Sequence, residues 1–408
     1  MADSFRRLPF RETRAYVDLD ALHHNIRLIQ DRFPGQGLAP AVKADAYGHG
    51  AAAIAGAGEE AGVAMMSVAN LEEYLNLRDH GIRIPIIILE DLFEGEIDVA
   101  LRAGARLNVS SVEYARRLSS LAEQLETTAF LHINIDTGMG RMGLVSEDLA
   151  RDLSAIASLP NVAIEGIFSH FSCSDEGDLE FSSLQITRYR QALDAAARVG
   201  ITPQYRHIAN SGAILDFPGE VPFDLVRPGI AMYGIYPSDA VRRDLALEPV
   251  LSLVSRLVKI TRYDRRWSIG YGKTHWTEPG SVIGVLPIGY GDGYPRLLSN
   301  NSRVLVRGEY APVVGRVSMD MITVDLTRIE PIPRVEDPVV IIGSQRDRRG
   351  TLRSIGAEDL ARECSTIPYE ITCNLSTRVP RLYLRGGHLV ASQTFREGYR
   401  IHAPETVR

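Results

Sequence analysis

Eight short β-rich runs alternate with amphipathic helical stretches over about 200 residues, the scale of a single α/β barrel. The runs are 40–44, 64–68, 84–89, 106–109, 128–136, 165–170, 206–210 and 224–230. Between them, segments such as 112–125 and 182–199 repeat apolar residues at i, i+3, i+4 and i+7, the spacing of a helix with one buried face. Eight strands with intervening helices match a closed (β/α)8 TIM-like barrel. An open doubly wound sheet shows the same alternation, and strand count alone does not decide closure. A ninth run, 15–19, precedes the first helix, 20–33. It is one strand too many for the barrel and is assigned to a second domain.

After about residue 246 the helical period fades. The runs 250–261, 281–287, 303–307, 313–325 and 338–342 are β-branched and separated by Gly, Pro, Asn and Asp. That texture predicts a mostly antiparallel β domain. One short helix, 354–363, interrupts it, and the polar tail 395–408 reads as a loose end. The expected division is therefore a barrel over 20–246 and a β domain over 247–408, joined by the N-terminal strand within 1–19.

Composition narrows the function. Lys plus Arg number 45 against 51 Asp plus Glu, a net charge of −6, so the basic footprint of a nucleic-acid binder is missing. No run approaches the roughly 18 apolar residues of a membrane span, and the N-terminus lacks the apolar core of a secretory signal. Cys173, Cys364 and Cys373 form no CxxC pair, which argues against a zinc or redox-dithiol site. The expectation is a reduced, cytoplasmic protein with no metal.

The chemistry-bearing residues fall at the predicted C-terminal ends of strands, where barrels place active sites. AVKADAYGHG, 41–50, sets Lys43 at such an end. A lysine at the edge of a dry interior loses hydration and can act as an amine nucleophile. An isolated lysine there is ordinarily just solvated, so the neighbouring segments matter. IDTGMGRMG, 135–143, offers Arg141, whose planar guanidinium suits a carboxylate. GIFSHFSCSDE, 166–176, carries His170. HIANSGA, 207–213, places Asn210 and the Ser211 hydroxyl where a turn enters a helix, a setting that receives phosphate. LVRPGIAMYG, 225–234, follows with Arg227, Gly229 and Ile230. WSIGYGKT, 267–274, holds Tyr271 in the second domain; a phenol with a free pKa near ~10 needs neighbouring positive charge to serve as a base.

The AVKADAYGHG segment resembles the pyridoxal phosphate attachment site of alanine racemases, and the other segments extend the resemblance over nearly the whole chain. The resemblance implies a fold type III pyridoxal 5'-phosphate enzyme, a (β/α)8 barrel with a β domain, that interconverts L- and D-alanine and supplies D-alanine for peptidoglycan. Lys43 would hold the cofactor and act as base toward the D-isomer, with Tyr271 as base toward the L-isomer on the opposite face. Two bases on opposite faces meet the geometric need of racemisation. The phosphate would rest on Ser211, the backbone of Gly229 and Ile230, and the Tyr47 and Tyr369 hydroxyls, with Asn210 beside it. His170 would stand next to the pyridine ring. Arg227 would donate to the ring nitrogen and leave it unprotonated, a weaker electron sink that suppresses transamination. Arg141 and the Met319 backbone would take the substrate carboxylate, Asp320 would lie near Arg141, and Tyr290 would line the entrance. The resemblance also implies a head-to-tail homodimer in which Tyr271 and Met319 reach the partner's site.

One departure stands out. Many alanine racemases carry a lysine, often carbamylated, seven residues before the carboxylate arginine, and this chain has Asn134. Asparagine cannot form a carbamate, so a chloride or water is expected beside Arg141. Asn134 also resembles broad-spectrum amino-acid racemases, whereas the bulk of Tyr369 favours alanine. A decarboxylase of the same fold type and a non-catalytic pyridoxal phosphate-binding protein are the competing readings. Arg227 argues against the first, and the second domain with Tyr271 against the second.

Overall fold

A computed structural model describes residues 11–217 and 223–402. The chain divides into two compact units. One comprises 23–46 and 54–247; the other takes in the N-terminal residues to 22, the short stretch 47–53 and the chain from 248 onward.

The first unit is a barrel. Its strands are Gly37–Leu38, Met66–Val68, Ile86–Ile88, Arg106–Val109, Ala129–Asn134, Val162–Phe168, Tyr205–His207 and Leu225–Val226. Six of them, from Met66–Val68 to Tyr205–His207, pair in parallel in chain order. Three further sets of backbone contacts close the ring. Gly37 and Leu38 pair in parallel with Leu225 and Val226, and Ala41 bridges Ser67. Asp224 N donates to Arg206 O at 2.9 Å, and Arg227 N to Ala209 O at 2.8 Å. The open-sheet alternative is therefore excluded.

Strands covered on both faces need apolar residues throughout, which is why Ile86–Ile88 is an unbroken apolar run with no exposure. Ala39, Met65, Ile87, Phe168 and Leu225 pack together as one interior cluster. The helices follow the predicted period. Val112–Gln124 buries Tyr114, Ala115, Leu118, Ser119 and Ala122 along one face, and the Ser111 side chain caps it by accepting from Tyr114 N at 3.1 Å.

The second unit centres on a nine-stranded sheet. Its order is Glu309–Pro312, Arg303–Val306, Pro338–Arg346, Leu251–Arg256, Arg14–Asp18, Arg381–Arg385, His388–Thr394 and Gly398–Ile401, with Leu352–Ile355 paired to Pro338–Arg346. The N-terminal strand sits inside this sheet, antiparallel to Leu251–Arg256 and parallel to Arg381–Arg385. Its alternating burial, with Ala15 and Val17 inaccessible, is the two-residue period of a strand with one face inward. Lys259–Arg262, Val282–Leu286 and Ile322–Asp325 form a separate antiparallel sheet. Ser268–Ile269 and His275–Trp276 form a hairpin.

Four local expectations are corrected. The first barrel strand is Gly37–Leu38, with only a bridge at Ala41, because the chain turns immediately after Lys43. The β run 313–325 is a strand only over Ile322–Asp325; Ser318 and Met321 close a turn through Ser318 N to Met321 O at 3.0 Å. A second helix, Pro368–Cys373, follows Ala357–Glu363, started by a proline in its first turn. The tail is a strand at Gly398–Ile401, because its backbone pairs with His388–Thr394 regardless of its polar side chains; residues 403–408 lie outside the described residues. Cys173, Cys364 and Cys373 form no disulfide. Among the described residues no helix is long and apolar enough to cross a membrane, and no His, Cys, Asp and Glu cluster could hold a metal.

The 47–53 stretch is stapled into the β unit by Arg381, which is only 3% exposed. Its guanidinium donates to Gly48 O at 3.1 Å, Ser376 O at 2.7 Å, Val379 O at 2.8 Å and Leu375 O at 2.6 Å. Arg381→Met keeps the apolar stem and strands these carbonyls. The expected cost is about 3 kcal/mol or more, read as a lower urea midpoint at unchanged slope. An unchanged midpoint would show that water satisfies the carbonyls equally well.

Candidate active site

Lys43 opens an unusual piece of backbone. Ala44, Asp45 and Ala46 have φ/ψ of 52/49, 52/47 and 53/50, and Tyr47 has φ 52. This is a left-handed turn without glycine, costing about 1–2 kcal/mol per residue, so something must hold it. Glu73 does much of this. Its carboxylate accepts from Ala44 N at 2.7 Å and Ala69 N at 2.8 Å. Glu73 stands in the first turn of the helix Leu71–Asp79, whose positive end favours the carboxylate. Ala46 N also donates to Val42 O at 2.9 Å.

Arg227 follows the last barrel strand and is 6% exposed. Its Nη1 lies 2.7 Å from His207 Nδ1, and its Nη2 donates to Ser169 O at 2.7 Å and reaches His170 Nδ1 at 3.2 Å. The Nε hydrogen and one Nη1 hydrogen are left for a ligand. Burial pushes the Arg227 pKa down to about 10, so the group still keeps its proton at neutral pH. His170 is held well below the ordinary histidine range, first by burial and then by the charges of Arg227, Arg141 and Lys43. Three cations thus act on one imidazole, an electrostatic setting suited to an anionic ligand. Because guanidinium only donates, His170 Nδ1 accepts, and the neutral ring carries its hydrogen on Nε2.

A second cradle lies beside it. The Ser211 hydroxyl accepts from Gly229 N at 2.9 Å and Ala231 N at 3.2 Å, which leaves its own O–H to point elsewhere. Ser174 Oγ donates to Asn210 Oδ1 at 2.7 Å, and the same oxygen accepts from Ala213 N at 3.1 Å. Gly212 permits this approach, since a Cβ there would lie 2.7 Å from Ser174 Oγ. Ile230 begins the short helical turn after Gly229.

The Arg141 loop is closed by Asn134 and Asp136. Leu144 N donates to Asn134 O at 2.7 Å, and the Asp136 carboxylate accepts from Gly138 N at 2.8 Å and Gly140 N at 2.9 Å. Asn134 is 7% exposed, and a Cβ on Gly143 would sit 3.0 Å from its Oδ1.

In the other unit, Tyr47 and Tyr369 meet with ring centroids 5.6 Å apart. Tyr290, Met319 and Asp320 share one knot. Tyr290 N donates to Ser318 O at 3.0 Å and Gly291 N to Met319 O at 2.9 Å. Arg378 ties Asp320 at 2.7 Å to the fully buried Asp292 at 3.3 Å, and Arg11 reaches Asp292 at 2.8 Å. Within the chain, Asp320 is thus engaged by Arg378. Tyr271 stands in the turn of the 268–276 hairpin and is 71% exposed.

Several residues that the sequence reading passed over belong to the barrel site. Gln185, fully buried, donates to Thr137 Oγ1 at 3.1 Å and His170 O at 3.0 Å. Its signal was a polar residue on the apolar face of the 182–199 helix. His132 lay in a predicted strand outside any motif, and His207 opened the HIANSGA segment without being given a role.

A group with a phosphate, a ring nitrogen that accepts a hydrogen bond and an aldehyde for an amine fits this set. Ser211 with the Gly229 loop suits the phosphate, the spare Arg227 hydrogens suit the nitrogen, and Lys43 supplies the amine.

Comparison with known proteins agrees with this chemistry. Residues 17–237 match the family model "Alanine racemase, N-terminal domain", and 250–383 match "Alanine racemase, C-terminal domain". "Alanine racemase 2" of Caldanaerobacter subterraneus subsp. tengcongensis is 42% identical over 384 residues, covering 93% of this chain and 96% of that protein. The solved alanine racemase of Clostridium difficile 630 superposes with a TM-score of 0.89 at 32% identity, over 95% of this chain and 99% of that one. The structure of alanine racemase from Bartonella henselae with covalently bound pyridoxal phosphate superposes with a TM-score of 0.81 at 28% identity, over 91% and 99% of the two chains.

The buried histidines make the barrel acid-sensitive. Burial is the first cause that lowers His132, His170 and His207 below the ordinary value of 6.5. In the unfolded chain each takes a proton as the pH falls through about 6.5, while the folded chain resists until lower pH. Their stability contribution is therefore present above about pH 6.5 and lost as the pH falls, at up to about 1.4 kcal/mol per pH unit for each histidine. Urea midpoints should drop between pH 7 and 5.5, and His207→Asn should flatten the slope. Midpoints flat across that window would mean that the imidazoles protonate within the fold.

Proposed function

The chain belongs to the alanine racemase family, and is on that footing an isomerase; from there we propose that it exchanges the α-proton of L- and D-alanine with two bases, Lys43 and Tyr271, on opposite faces of the substrate. The observation that carries this reading is the buried Arg227, still charged, and grouped with Lys43 and Arg141 around His170.

Pyridoxal phosphate held by Lys43 supplies the electron sink that acidifies the substrate Cα–H. Lys43, its amine freed once the substrate amine takes its place on the cofactor, would take or return the proton on the D side. Tyr271 does so on the L side, with His170 and Arg227 supplying the polar network around it. Arg227, which keeps its own proton, would offer its spare hydrogens to the ring nitrogen and so would hold that nitrogen unprotonated. Ser211, the Gly229 and Ile230 backbone, Asn210, Tyr47 and Tyr369 secure the phosphate. Arg141 and the Met319 backbone orient the substrate carboxylate, with Asp320 nearby and Tyr290 at the entrance. Asn134 leaves room beside Arg141 for a chloride. Tyr369 restricts the pocket to a methyl side chain; the broad-spectrum reading rests on Asn134. The D-alanine formed serves peptidoglycan synthesis.

The exposure of Tyr271 at 71% and Met319 at 53% supports a head-to-tail homodimer in which these two residues reach the partner's site.

Incubation with L-alanine in heavy water should exchange the α-proton and abolish optical rotation together, with L-lysine and L-arginine inert. Turnover of the basic amino acids at a comparable rate would replace the narrow reading with the broad one. Tyr271→Phe should cut the rate with L-alanine about 10²–10⁴-fold, the usual contribution of a general base.

Lys43→Ala and Tyr271→Phe should each be inactive alone. Co-expressed with random pairing, half the dimers are mixed, and each mixed dimer has one intact site of two. Activity should then return to about one quarter of the unsubstituted level, as the symmetry requires. No recovery in a preparation shown to contain mixed dimers would place both bases in the same subunit.

A further inference from the structure

A line of five side chains runs from Arg227 into the barrel and ends at Arg106. Arg227 Nη1 lies 2.7 Å from His207 Nδ1, and His207 Nε2 lies 2.9 Å from His132 Nδ1. His132 Nε2 faces Glu165 at 3.9 Å. Arg106 closes the line with hydrogen bonds of 2.9 and 3.1 Å to the two Glu165 oxygens. Both imidazoles are fully buried.

Only one proton arrangement satisfies these contacts. A guanidinium is a donor without an acceptor, so His207 Nδ1 must be bare. A neutral His207 then carries its hydrogen on Nε2 and donates to His132 Nδ1. His132 in turn carries its hydrogen on Nε2, toward Glu165. Protonating His207 on both nitrogens would set two donors face to face at Arg227. Burial and the Arg227 charge both oppose it. The two hydrogen bonds therefore run one way, from Arg227 through His207 to His132, and the buried His132 Nε2–H faces the Glu165 carboxylate across 3.9 Å without a hydrogen bond.

The backbone is shaped to admit this line. A Cβ on Gly166 would lie 2.3 Å from His132 Nδ1. The pairing of Ala129–Asn134 with Val162–Phe168 shifts register between Leu131 and His132. On the other side, Phe168 stacks on His207 with centroids 4.9 Å apart and planes 2° from parallel. Buried polar lines of this kind contribute little net stability over an apolar core of the same shape, so this one calls for a functional account.

We propose that His132 and His207 are positioning residues that lock Arg227 as a one-way donor toward the cofactor ring nitrogen, with Glu165 as the distant counter-charge. His207 fixes the guanidinium plane, and His132 fixes the His207 tautomer. The role toward the ring nitrogen rests on the pyridoxal phosphate reading above. The hydrogen-bond line itself does not.

Two measurements test it. In the full-length protein with ¹⁵N-labelled histidine, His132 and His207 should both show the neutral Nε2–H tautomer, without titration from pH 5.5 to 8. An Nδ1–H tautomer or an imidazolium at either position overturns the line. Second, pyridoxal phosphate is titrated into the protein freed of cofactor, following absorption. His132→Leu should weaken binding about tenfold, the equivalent of about 1.4 kcal/mol, and shift the absorption of the bound chromophore. His132→Asn, whose Oδ1 stands where Nδ1 was, should restore both. Unchanged affinity and spectrum in His132→Leu overturn the positioning role. Failure of the unsubstituted protein to bind pyridoxal phosphate overturns the cofactor reading and this role together, whereas the tautomers report separately on whether the line exists.

Discussion

A charged guanidinium in the barrel interior is the constraint on which most of the molecule depends. A buried cation without partners costs several kcal/mol, so Arg227 is tolerable only where acceptors converge on it. They come from the ends of separate strands: Ser169 O after Val162–Phe168, and His207 with Ile208 O at and after Tyr205–His207. The strands must therefore be in register, and register is set by the closure of the ring through Gly37–Leu38 and Leu225–Val226. The same closure brings Lys43 to the strand ends. Fold and site satisfy one condition.

The left-handed turn after Lys43 shows a related economy. Its strain would relax the lysine away from the site were the Glu73 carboxylate not bonded to Ala44 N and Ala69 N. Farther along, Gly48 has φ +82 and would place a Cβ 2.0 Å from Thr372 O. That glycine lets Arg381 close over the segment. The β unit organises its own residues by a comparable device. The buried Asp292 holds Arg11 and Arg378, and Arg378 holds Asp320. One anion without exposure thereby fixes the loops that carry Tyr290 and Met319.

Legibility in the sequence followed locality. Helices with a repeating apolar face, such as Val112–Gln124, were plain because their period repeats within one segment. The ninth strand was recognised as surplus to the barrel by counting alone, and it indeed pairs within the β sheet. Lys43, Arg141, His170, Ser211, Arg227 and Tyr271 stood in segments with distinctive wording. The structure groups Lys43, Arg141, His170 and Arg227 electrostatically, and places Ser211 against the Gly229 loop. His132, His207 and Gln185 could not be found this way. No local period or residue type marks them, and their partners lie 75, 20 and 48 positions away. The tail strand Gly398–Ile401 was missed because backbone pairing, not side-chain pattern, makes it a strand.

The amino-acid sequence by itself determined the α/β barrel with its β companion, the order of the elements, and the family to which the motifs belong. These are properties of short windows, where hydrophobic period and residue type suffice. Tertiary structure alone decided that the barrel closes, that Lys43 opens a left-handed turn, and that Arg227 keeps its charge among imidazoles. Those outcomes depend on hydrogen bonds and desolvation between residues far apart in the chain. Such terms have no value until the backbone has brought donor, acceptor and burial to one place.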